Sequence, residues 1–275
     1  MTYCLTPVPH ALGTPDGFMA KTVKSKMVSV LLKDVSCEIN NELDHGSILF
    51  IEHGNARLYV LTDIPETFKH ISLKLLNQLP QHGDVIFSTD MYLRDSLKCQ
   101  ERQRRGCEDT LLIEGINTRR PADFKSFLKN DLNKRRLFAL MHKVWRRAAA
   151  ASNLKNRSVF LVVEGKAFKL TSDDGVATSE EEVHIIQSDQ EETDTRIVLY
   201  IQYAQDQGYD KVVVKCQDSD VFFILLYYAH TFTIPILLER SGGQMINISD
   251  TAQELGNDYC NGLLGVHVFT GEDTT

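Results

Sequence analysis

The sequence comprises 275 residues, of which 43% are hydrophobic and 24% charged, proportions that exclude a disordered or collagen-like chain. The net charge of -7 argues against a protein that coats nucleic acid non-specifically. The longest apolar run, Val221–Ala229, is far shorter than the roughly twenty residues that cross a bilayer, so we expect no membrane contact. Six scattered cysteines without CxxC spacing, and an N-terminus without a secretory leader, predict free thiols in a reducing, intracellular compartment.

The apolar pattern predicts strands that alternate with helices along the chain. An irregular arm over residues 1–20 precedes the first helix, and a β-ribbon follows the third strand up to about residue 186. Short, almost wholly apolar strands are typical of a parallel sheet covered on both faces. The predicted fold class is therefore α/β, with a central, mostly parallel sheet and helices on both faces. In chain order, the predicted elements are a helix over 21–35, a strand over 48–52, a helix over 64–79, a strand over 84–88, helices over 93–105 and 122–151, a strand over 159–163, a helix over 188–207, strands over 211–216 and 234–238, and a helix over 251–264.

Positive charge is concentrated in one part of the chain. Residues 94–147 hold 15 of the 30 Lys and Arg residues against seven acidic residues, so the remainder is strongly acidic. This pattern predicts either a solvated basic face around amphipathic core helices or a surface that guides a polyanion. Trp145 and Cys216 fit apolar core positions. We divide the chain into an N-terminal arm and helix, 1–47, and one domain, 48–275, with a basic helical insertion near 93–147.

Acidic side chains follow four of the predicted strands at the point where each strand ends. Glu52, Asp90 and Glu164 each follow one strand, and Asp218 and Asp220 follow another. Because α/β proteins bind ligands outside the carboxyl ends of their parallel strands, these residues indicate a site at that edge. In an extended segment, Asp218 and Asp220 face the same side. Converging carboxylates suit hard divalent cations such as Mg²⁺, and two such ions can drive phosphodiester hydrolysis.

A second acidic pair opens the helix predicted to begin with the capping sequence at 188–191. Glu192 and Asp194 are two residues apart, which separates their side chains by about 200° on a regular helix. They can converge on one site only if Glu192 lies at the helix cap, off the helical path.

The acidic residues carry a resemblance to the nuclease region of the flap endonuclease family, within the wider superfamily of PIN-like nucleases. It rests on Gln190-Glu-Glu-Thr-Asp-Thr-Arg, on the strand leading into Asp218-Ser-Asp, on Val85-Ile-Phe-Ser-Thr-Asp90 before a basic segment, and on Leu263-Leu-Gly. The resemblance implies a PIN-like fold and structure-specific cleavage of DNA or RNA at ends, flaps or junctions, in the nucleus or cytoplasm. It also implies two Mg²⁺ or Mn²⁺ ions and no small-molecule cofactor. By position, the implied metal ligands are Asp90, Glu192, Asp194, Asp218, Asp220 and Asp273, of which all but Asp273 are also catalytic, and the implied nucleic-acid contacts are Lys98, Arg102, Arg104 and Arg105.

Two departures from the family pattern bear on activity. His53 stands where the first strand of the family ends in Asp, and Glu52 lies one place early, on the other side of the strand. Histidine is a poor ligand for Mg²⁺ and a better one for Mn²⁺ or Zn²⁺. The sequence ends two residues after Asp273, where the family continues into a helix–hairpin–helix, which predicts a truncated copy with impaired or lost activity. The chain also resembles a group of metazoan proteins, in part of mobile-element type, that share the pattern PHxLGxPDG, QEETDTR and GEDTT.

Two other functions are compatible with the same residues. Val162-Val-Glu164-Gly-Lys resembles the opening of a Toprim domain, which implies a Mg²⁺ site of Glu164, Asp218 and Asp220. The third hypothesis is a nucleic-acid- or protein-binding module that retains a nuclease scaffold without catalysis. Alanine at Glu164 abolishes activity only under the Toprim hypothesis, and alanine at Asp90 only under the nuclease hypothesis.

Overall fold

The computed structural model describes residues 24–32, 46–93, 96 and 109–271, and within these ranges the strands form one eight-stranded sheet. The strands are β1 Ile48–His53, β2 Asp84–Ser88, β3 Val159–Val163, β4 Lys166–Asp173, β5 Ala177–Glu182, β6 Lys211–Lys215, β7 Ile236–Glu239 and β8 Met245–Asn247. Their order across the sheet is β5-β4-β3-β2-β1-β6-β7-β8. The five central strands run parallel, whereas β4, β5 and β8 pair in antiparallel fashion at the edges. The prediction of a mostly parallel sheet is therefore confirmed.

The direction in which strands are added reverses between β1 and β6. From β1 the chain moves outward through β2 to β3, and later it places β6 on the opposite side of β1. Open α/β sheets bind ligands in the crevice that forms at such a reversal, outside the carboxyl ends of the strands. The residues that follow β1 and β6 therefore border the expected ligand site.

Helices cover both faces of the sheet, as the apolar strands predict. Leu49 and Ile51 of β1 enter one apolar core, and Ile48 and Phe50 enter another on the opposite face. Burial on both faces requires apolar residues at successive positions, which explains the unbroken apolar run. The helices are α1 Lys24–Leu31, α2 Gly54–Tyr59, α3 Phe68–Gln78, α4 Phe124–Lys129, α5 Asp131–Trp145, α6 Ala148–Leu154, α7 Thr193–Asp206, α8 Ser219–Tyr228, α9 Ile248–Leu255 and α10 Asn257–Gly271.

The two layers of helices come from different parts of the chain. Helices α1, α7, α8, α9 and α10 cover the face of Leu49, which we call the first face. Helices α3, α4, α5 and α6 cover the opposite, second face. None of the helices in the described ranges is long and apolar enough to cross a membrane.

The stretch over 122–151 packs on the second face as the two helices α4 and α5 and the start of α6, so the prediction of one long helix over 122–151 is wrong. Asn130 interrupts it, because its side chain accepts the backbone N–H groups of Leu132 and Asn133 and so starts α5 afresh. Trp145 is fully buried and donates its indole N–H to the carbonyl of Ser72 at 2.8 Å, which confirms its core position. The predicted arm over 1–20 and most of the predicted helix over 93–105 lie outside the described residues.

Two other predicted helices have different boundaries. Helix α7 begins at Thr193 rather than at residues 188–191, because the backbone before it pairs with the segment that follows β2: Met91 donates to the carbonyl of Glu191 at 2.7 Å. The predicted helix over 251–264 is divided between α9 and α10 at Gly256, whose φ of 81° is unfavourable for other residues.

Candidate carboxylate–histidine site

Residues from three neighbouring strands meet at the carboxyl edge of the sheet. His53 ends β1, Asp90 lies two residues beyond the end of β2, and Asp218 lies three residues beyond the end of β6. The opening turn of α7 adds Asp194 from the first face. The prediction that acidic residues from separate strand ends converge is therefore correct for this part of the sheet.

The imidazole of His53 lies between two carboxylates. Its Nε2 atom is 3.7 Å from Oδ1 of Asp90 and 3.6 Å from Oδ1 of Asp194. All three side chains are largely buried, with exposed fractions of 13% for His53, 14% for Asp90 and 19% for Asp194. Oδ1 of Asp194, which lies next to His53, has no hydrogen-bond partner among the residues that the structure describes.

The carboxylate of Asp90 is held by hydrogen bonds at both oxygens. Asn55 donates its side-chain N–H to Oδ2 at 2.6 Å, and the backbone N–H of Thr193 donates to Oδ1 at 3.0 Å. Asn55 also donates to the hydroxyl of Tyr92 at 2.9 Å. The orientation of Asp90 is thus fixed by the start of α2 on one side and the start of α7 on the other.

The start of α7 resolves how Glu192 and Asp194 can share one site. Glu192 is the N-cap residue, with extended backbone angles of φ -98° and ψ 141°, so it lies off the helical path. Asp194 is in the first helical turn, and the charge of Glu192 reaches it. The condition stated from the sequence is therefore met by the local backbone.

Electrostatic crowding is concentrated on Asp194. Its pKa is raised to about 6, first by burial and then by the negative charges of Asp218, Asp90 and Glu192, while His53 acts in the opposite direction. The same environment raises the pKa of Cys216 to about 12, through burial first and then through the charge of Asp194. Cys216 is therefore a buried thiol at the base of the cluster, as its apolar surroundings in the sequence predict.

Asp218 and Asp220 do not face the same side of an extended segment, and that prediction is wrong. Helix α8 starts at Ser219, so Asp218 becomes its N-cap and accepts the backbone N–H of Asp220 at 3.0 Å. Asp220 turns toward α10, where its Oδ1 lies 2.7 Å from Nε2 of His267. Asp218 therefore remains near the cluster, and Asp220 is engaged by a buried histidine.

Glu52 lies on the opposite side of β1 from His53, as the one-residue offset predicts. It is almost wholly buried, and burial raises its pKa against the opposing charges of Arg57 and Lys215. Its Oε2 atom is 3.5 Å from Nε of Arg57. Glu52 therefore belongs to a separate charged group on the second face and is not part of the site.

Glu164 is also separate from the cluster. It lies in the two-residue turn between β3 and β4, with a positive φ of 51°, and it pairs with Arg135. β3 and β6 are three strand positions apart, a separation of roughly 14 Å at about 4.8 Å per strand. The sheet therefore does not bring Glu164 beside Asp218 and Asp220, as a Toprim site requires.

Five predicted site residues fall outside the described ranges. They are the proposed metal ligand Asp273 and the proposed nucleic-acid contacts Lys98, Arg102, Arg104 and Arg105.

A buried polar layer supports the site, and sequence reasoning missed it. The hydroxyl of Ser88 lies 2.8 Å from that of Tyr200 and 3.2 Å from that of Thr193. Arg196, which is 1% exposed, donates to the carbonyls of Thr89 at 2.6 Å and Glu192 at 3.2 Å. The sequence contains one signal of this layer, because polar residues occupy inward-facing positions of β2 and α7. His267 had no comparable signal, because its contact with Asp220 depends on how α10 packs on α8.

Comparison with protein families, curated proteins and solved structures gives no significant match to this chain. What the site can do therefore follows from its own residues. Among the residues that the structure describes, no three His, Cys, Asp or Glu side chains are close enough to form a ready-made metal-binding group. The cluster combines one imidazole, one unsatisfied carboxylate oxygen and one carboxylate held in place by two donors.

Proposed function

We propose that the chain is a divalent-metal-dependent nuclease and that His53, Asp90 and Asp194 hold its metal ion. The observation that carries this proposal is the position of the imidazole, with Nε2 3.7 Å and 3.6 Å from one oxygen of each carboxylate. The three residues lie at the reversal point of the sheet, where α/β proteins bind ligands. A bound cation offsets the burial and the neighbouring negative charges that raise the pKa of Asp194.

The donor types suit a divalent cation, but the side chains of His53, Asp90 and Asp194 must move closer together before all three can bind one ion. Two ligand atoms that bind one ion at about 2.1 Å each lie roughly 3.0–3.6 Å apart at bond angles of about 90–120°, and the two distances around His53 are close to this range. An imidazole beside carboxylates favours Mn²⁺ or Zn²⁺ over Mg²⁺. A bound metal ion supplies an activated water and stabilises charge on the phosphate.

The protein residues have separate roles in this proposal. Asn55 and the backbone N–H of Thr193 fix the orientation of Asp90 before any ligand binds. Asp194 contributes an oxygen that has no hydrogen-bond partner. Asp218 and Glu192, whose charges reach Asp194, are the proposed ligands of a second ion, whereas Asp220 has the weaker claim because His267 engages it.

The proposed substrate is the phosphodiester backbone of DNA or RNA. The PIN-like fold is part of this proposal, and it is supported by acidic residues after β2 and β6 and at the start of α7. Backbone contacts specify no base sequence, so we expect the enzyme to act on ends, flaps or junctions. A nuclear or cytoplasmic location follows from this substrate class.

A non-catalytic binding module is the second candidate, and one observation favours it. His53 lies within ion-pair distance of both Asp90 and Asp194, so it can pair with either carboxylate in place of a metal ion. The cluster can then be stable without a metal ion.

The position of Glu164, roughly 14 Å along the sheet from β6, removes support from the Toprim hypothesis.

Cleavage of end-labelled 5′-flap DNA, single-stranded DNA and RNA with Mn²⁺ or Mg²⁺ tests the proposal. We expect Mn²⁺-dependent cleavage by the unaltered protein and a loss of at least about a hundredfold in Asp90→Asn and Asp194→Asn. Asp206→Asn, at the other end of α7, is the matched control and should retain activity. Metal-independent cleavage, or equal rates in all three variants, contradicts the proposal. Nucleic-acid binding without cleavage supports the binding module.

A further inference from the structure

We propose that a groove along α5 binds the phosphate backbone of a single nucleic-acid strand and leads it to the carboxylate–histidine site. The groove has a volume of about 810 Å³ and lies between α5 and the loop 113–118. We call it the α5 groove. The identity of its ligand rests on the proposed function, but its binding can be measured without cleavage.

Basic residues line the α5 groove on one face of the helix. Arg136, Leu140 and Lys143 follow the helical spacing of four and then three residues, and Arg147 continues the same line just beyond the helix. Glu114 is the one acidic residue that lines the groove within the described part of the chain. The lining is therefore positive overall and suits an anionic ligand.

The basic groups in the groove remain available to a ligand. Lys143 and Arg147 form no ion pair with any described residue, although the adjacent Arg146 lies 3.7 Å from Glu180. Arg136 donates one guanidinium N–H to the carbonyl of Leu111 at 2.7 Å, which leaves its other N–H groups for a ligand. Lys143 and Arg147 can therefore bind an anionic ligand without first breaking an ion pair within the described part of the chain.

The N-terminal end of α5 adjoins the carboxylate–histidine site. The ammonium of Lys134 lies 5.0 Å from the centre of the Tyr92 ring, and the Tyr92 hydroxyl accepts a hydrogen bond from Asn55, which also binds Asp90. Arg135 pairs with Glu164 directly after β3, so this end of α5 lies at the carboxyl edge of the sheet. The groove begins one residue later, at Arg136, and extends away from the site.

The length of the basic line favours a polymer over a small phosphorylated molecule. Arg136 and Lys143 are seven residues apart, which is roughly 10 Å along the helix axis. At about 3.4 Å of axis per phosphate in one strand of a duplex, this distance covers about three phosphates. The forked donors of arginine match phosphate oxygens, and Leu140, Ile113 and Ile116 offer apolar surface for sugars or bases.

Binding of a fluorescein-labelled 20-nucleotide DNA strand, followed by anisotropy in EDTA over a range of KCl concentrations, tests the groove. The test variant is Lys143→Glu with Arg147→Glu, and the matched control is Lys125→Glu with Lys129→Glu, two exposed lysines on the neighbouring α4. Both double variants change the net charge equally. We expect binding at least about tenfold weaker in the test variant and less than about threefold weaker in the control.

The salt dependence gives a second readout. Loss of two phosphate contacts should make the plot of log K against log salt shallower by about 1.4, at about 0.7 per contact on a single strand. Lys143→Gln with Arg147→Gln, which removes charge without reversing it, should give the same change in slope. Equal weakening in the test and control variants overturns the proposal, as does an unchanged slope. Tighter binding of a polyglutamate peptide than of DNA also overturns it, in favour of an acidic protein partner.

Failure of the proposed function remains distinguishable from failure of the groove. Loss of DNA binding in the groove variant, together with no metal-dependent cleavage by the unaltered protein, supports the groove and contradicts the nuclease. Metal-dependent cleavage by the unaltered protein, together with unchanged DNA binding in the groove variant, supports the nuclease and contradicts the groove.

Discussion

The Nε2 atom of His53 lies 3.6 Å from Oδ1 of Asp194, a buried carboxylate oxygen that has no hydrogen-bond partner. The contact joins the end of a central strand to the first turn of α7. His53 is a basic group that can also bind a metal ion. The contact joins it to Asp194, the carboxylate whose pKa is raised by burial and by three neighbouring acidic residues. The stability of the protein, its pH dependence and its proposed metal preference therefore depend on the same pair.

Asp194 should destabilise the folded protein above pH 6. Its pKa is raised from 3.8 to about 6, so between these values the folded protein binds more protons than the unfolded chain, and stability falls as the pH rises. The shift corresponds to a destabilisation of about 3 kcal/mol, which is present in full above about pH 7 and vanishes below about pH 3. Asp194→Asn should therefore raise the melting temperature by roughly 5–10 °C at pH 7.5, measured by calorimetry without metal.

The same variant at pH 3 provides the control for this prediction. The two proteins should then melt within about 2 °C of each other, because the carboxyl group is largely protonated in both the folded and the unfolded state. A stabilisation that is equal at pH 3 and pH 7.5 would show that the effect comes from packing and not from charge.

His53 should determine which metal ion is preferred. Replacement of the imidazole by a carboxylate gives an all-oxygen donor set, which suits Mg²⁺ better than a mixed set does. By titration calorimetry, we expect the unaltered protein to bind Mn²⁺ at least about tenfold more tightly than Mg²⁺, and His53→Asp to reduce that ratio. An identical ratio in both proteins would exclude His53 as a ligand.

Asn55 should act as a positioning residue for Asp90. Asn55→Leu removes the donor to Oδ2 of Asp90 and leaves Thr193 to hold the other oxygen. Loss of such a supporting hydrogen bond typically weakens metal affinity about 10- to 100-fold, and we expect this loss for Mn²⁺. Asn55→Asp, which adds a charge next to Asp90, should not restore the affinity, whereas Asn55→Gln should restore part of it. Unchanged Mn²⁺ affinity in Asn55→Leu would contradict the assignment.

Glu52 should be irrelevant to metal binding although it is adjacent to His53 in the sequence. Its side chain lies on the second face of the sheet, where its Oε2 atom is 3.5 Å from Nε of Arg57. The carboxylates of the site lie on the first face. Glu52→Gln should therefore leave Mn²⁺ affinity unchanged within about twofold, measured in parallel with Asp194→Asn. A large loss of Mn²⁺ affinity in Glu52→Gln would mean that the strand presents the opposite face to the site.

The fold was largely predictable from the sequence because strands buried on both faces are apolar without interruption. The run of Ile48 to Glu52 and the run of Val159 to Val163 show this pattern, and both are strands. The long basic stretch after residue 122 was predicted as one helix because its apolar periodicity continues across Asn130. The break there depends on a side-chain cap, which periodicity does not register.

The candidate site was predictable only in part. Its strand-end residues, Asp90 and Asp218, follow apolar runs and could be located from the rule for parallel sheets. The separation of Asp218 from Asp220 was missed because α8 begins at Ser219, so that Asp218 is its N-cap and Asp220 is already in the helix. The partner of Asp220, His267, is 47 residues away in the chain, and no local pattern indicates that contact.

The most direct test of the central claim is anomalous diffraction from crystals of the protein soaked in Mn²⁺. The account predicts a manganese peak bound by Nε2 of His53 and Oδ1 of Asp194, at about 2.1–2.2 Å from each, with Asp90 in the same coordination sphere. The peak should be absent from crystals of Asp90→Asn with Asp194→Asn. A manganese peak at another site, or none at a saturating Mn²⁺ concentration, would contradict the assignment of this cluster as the metal centre.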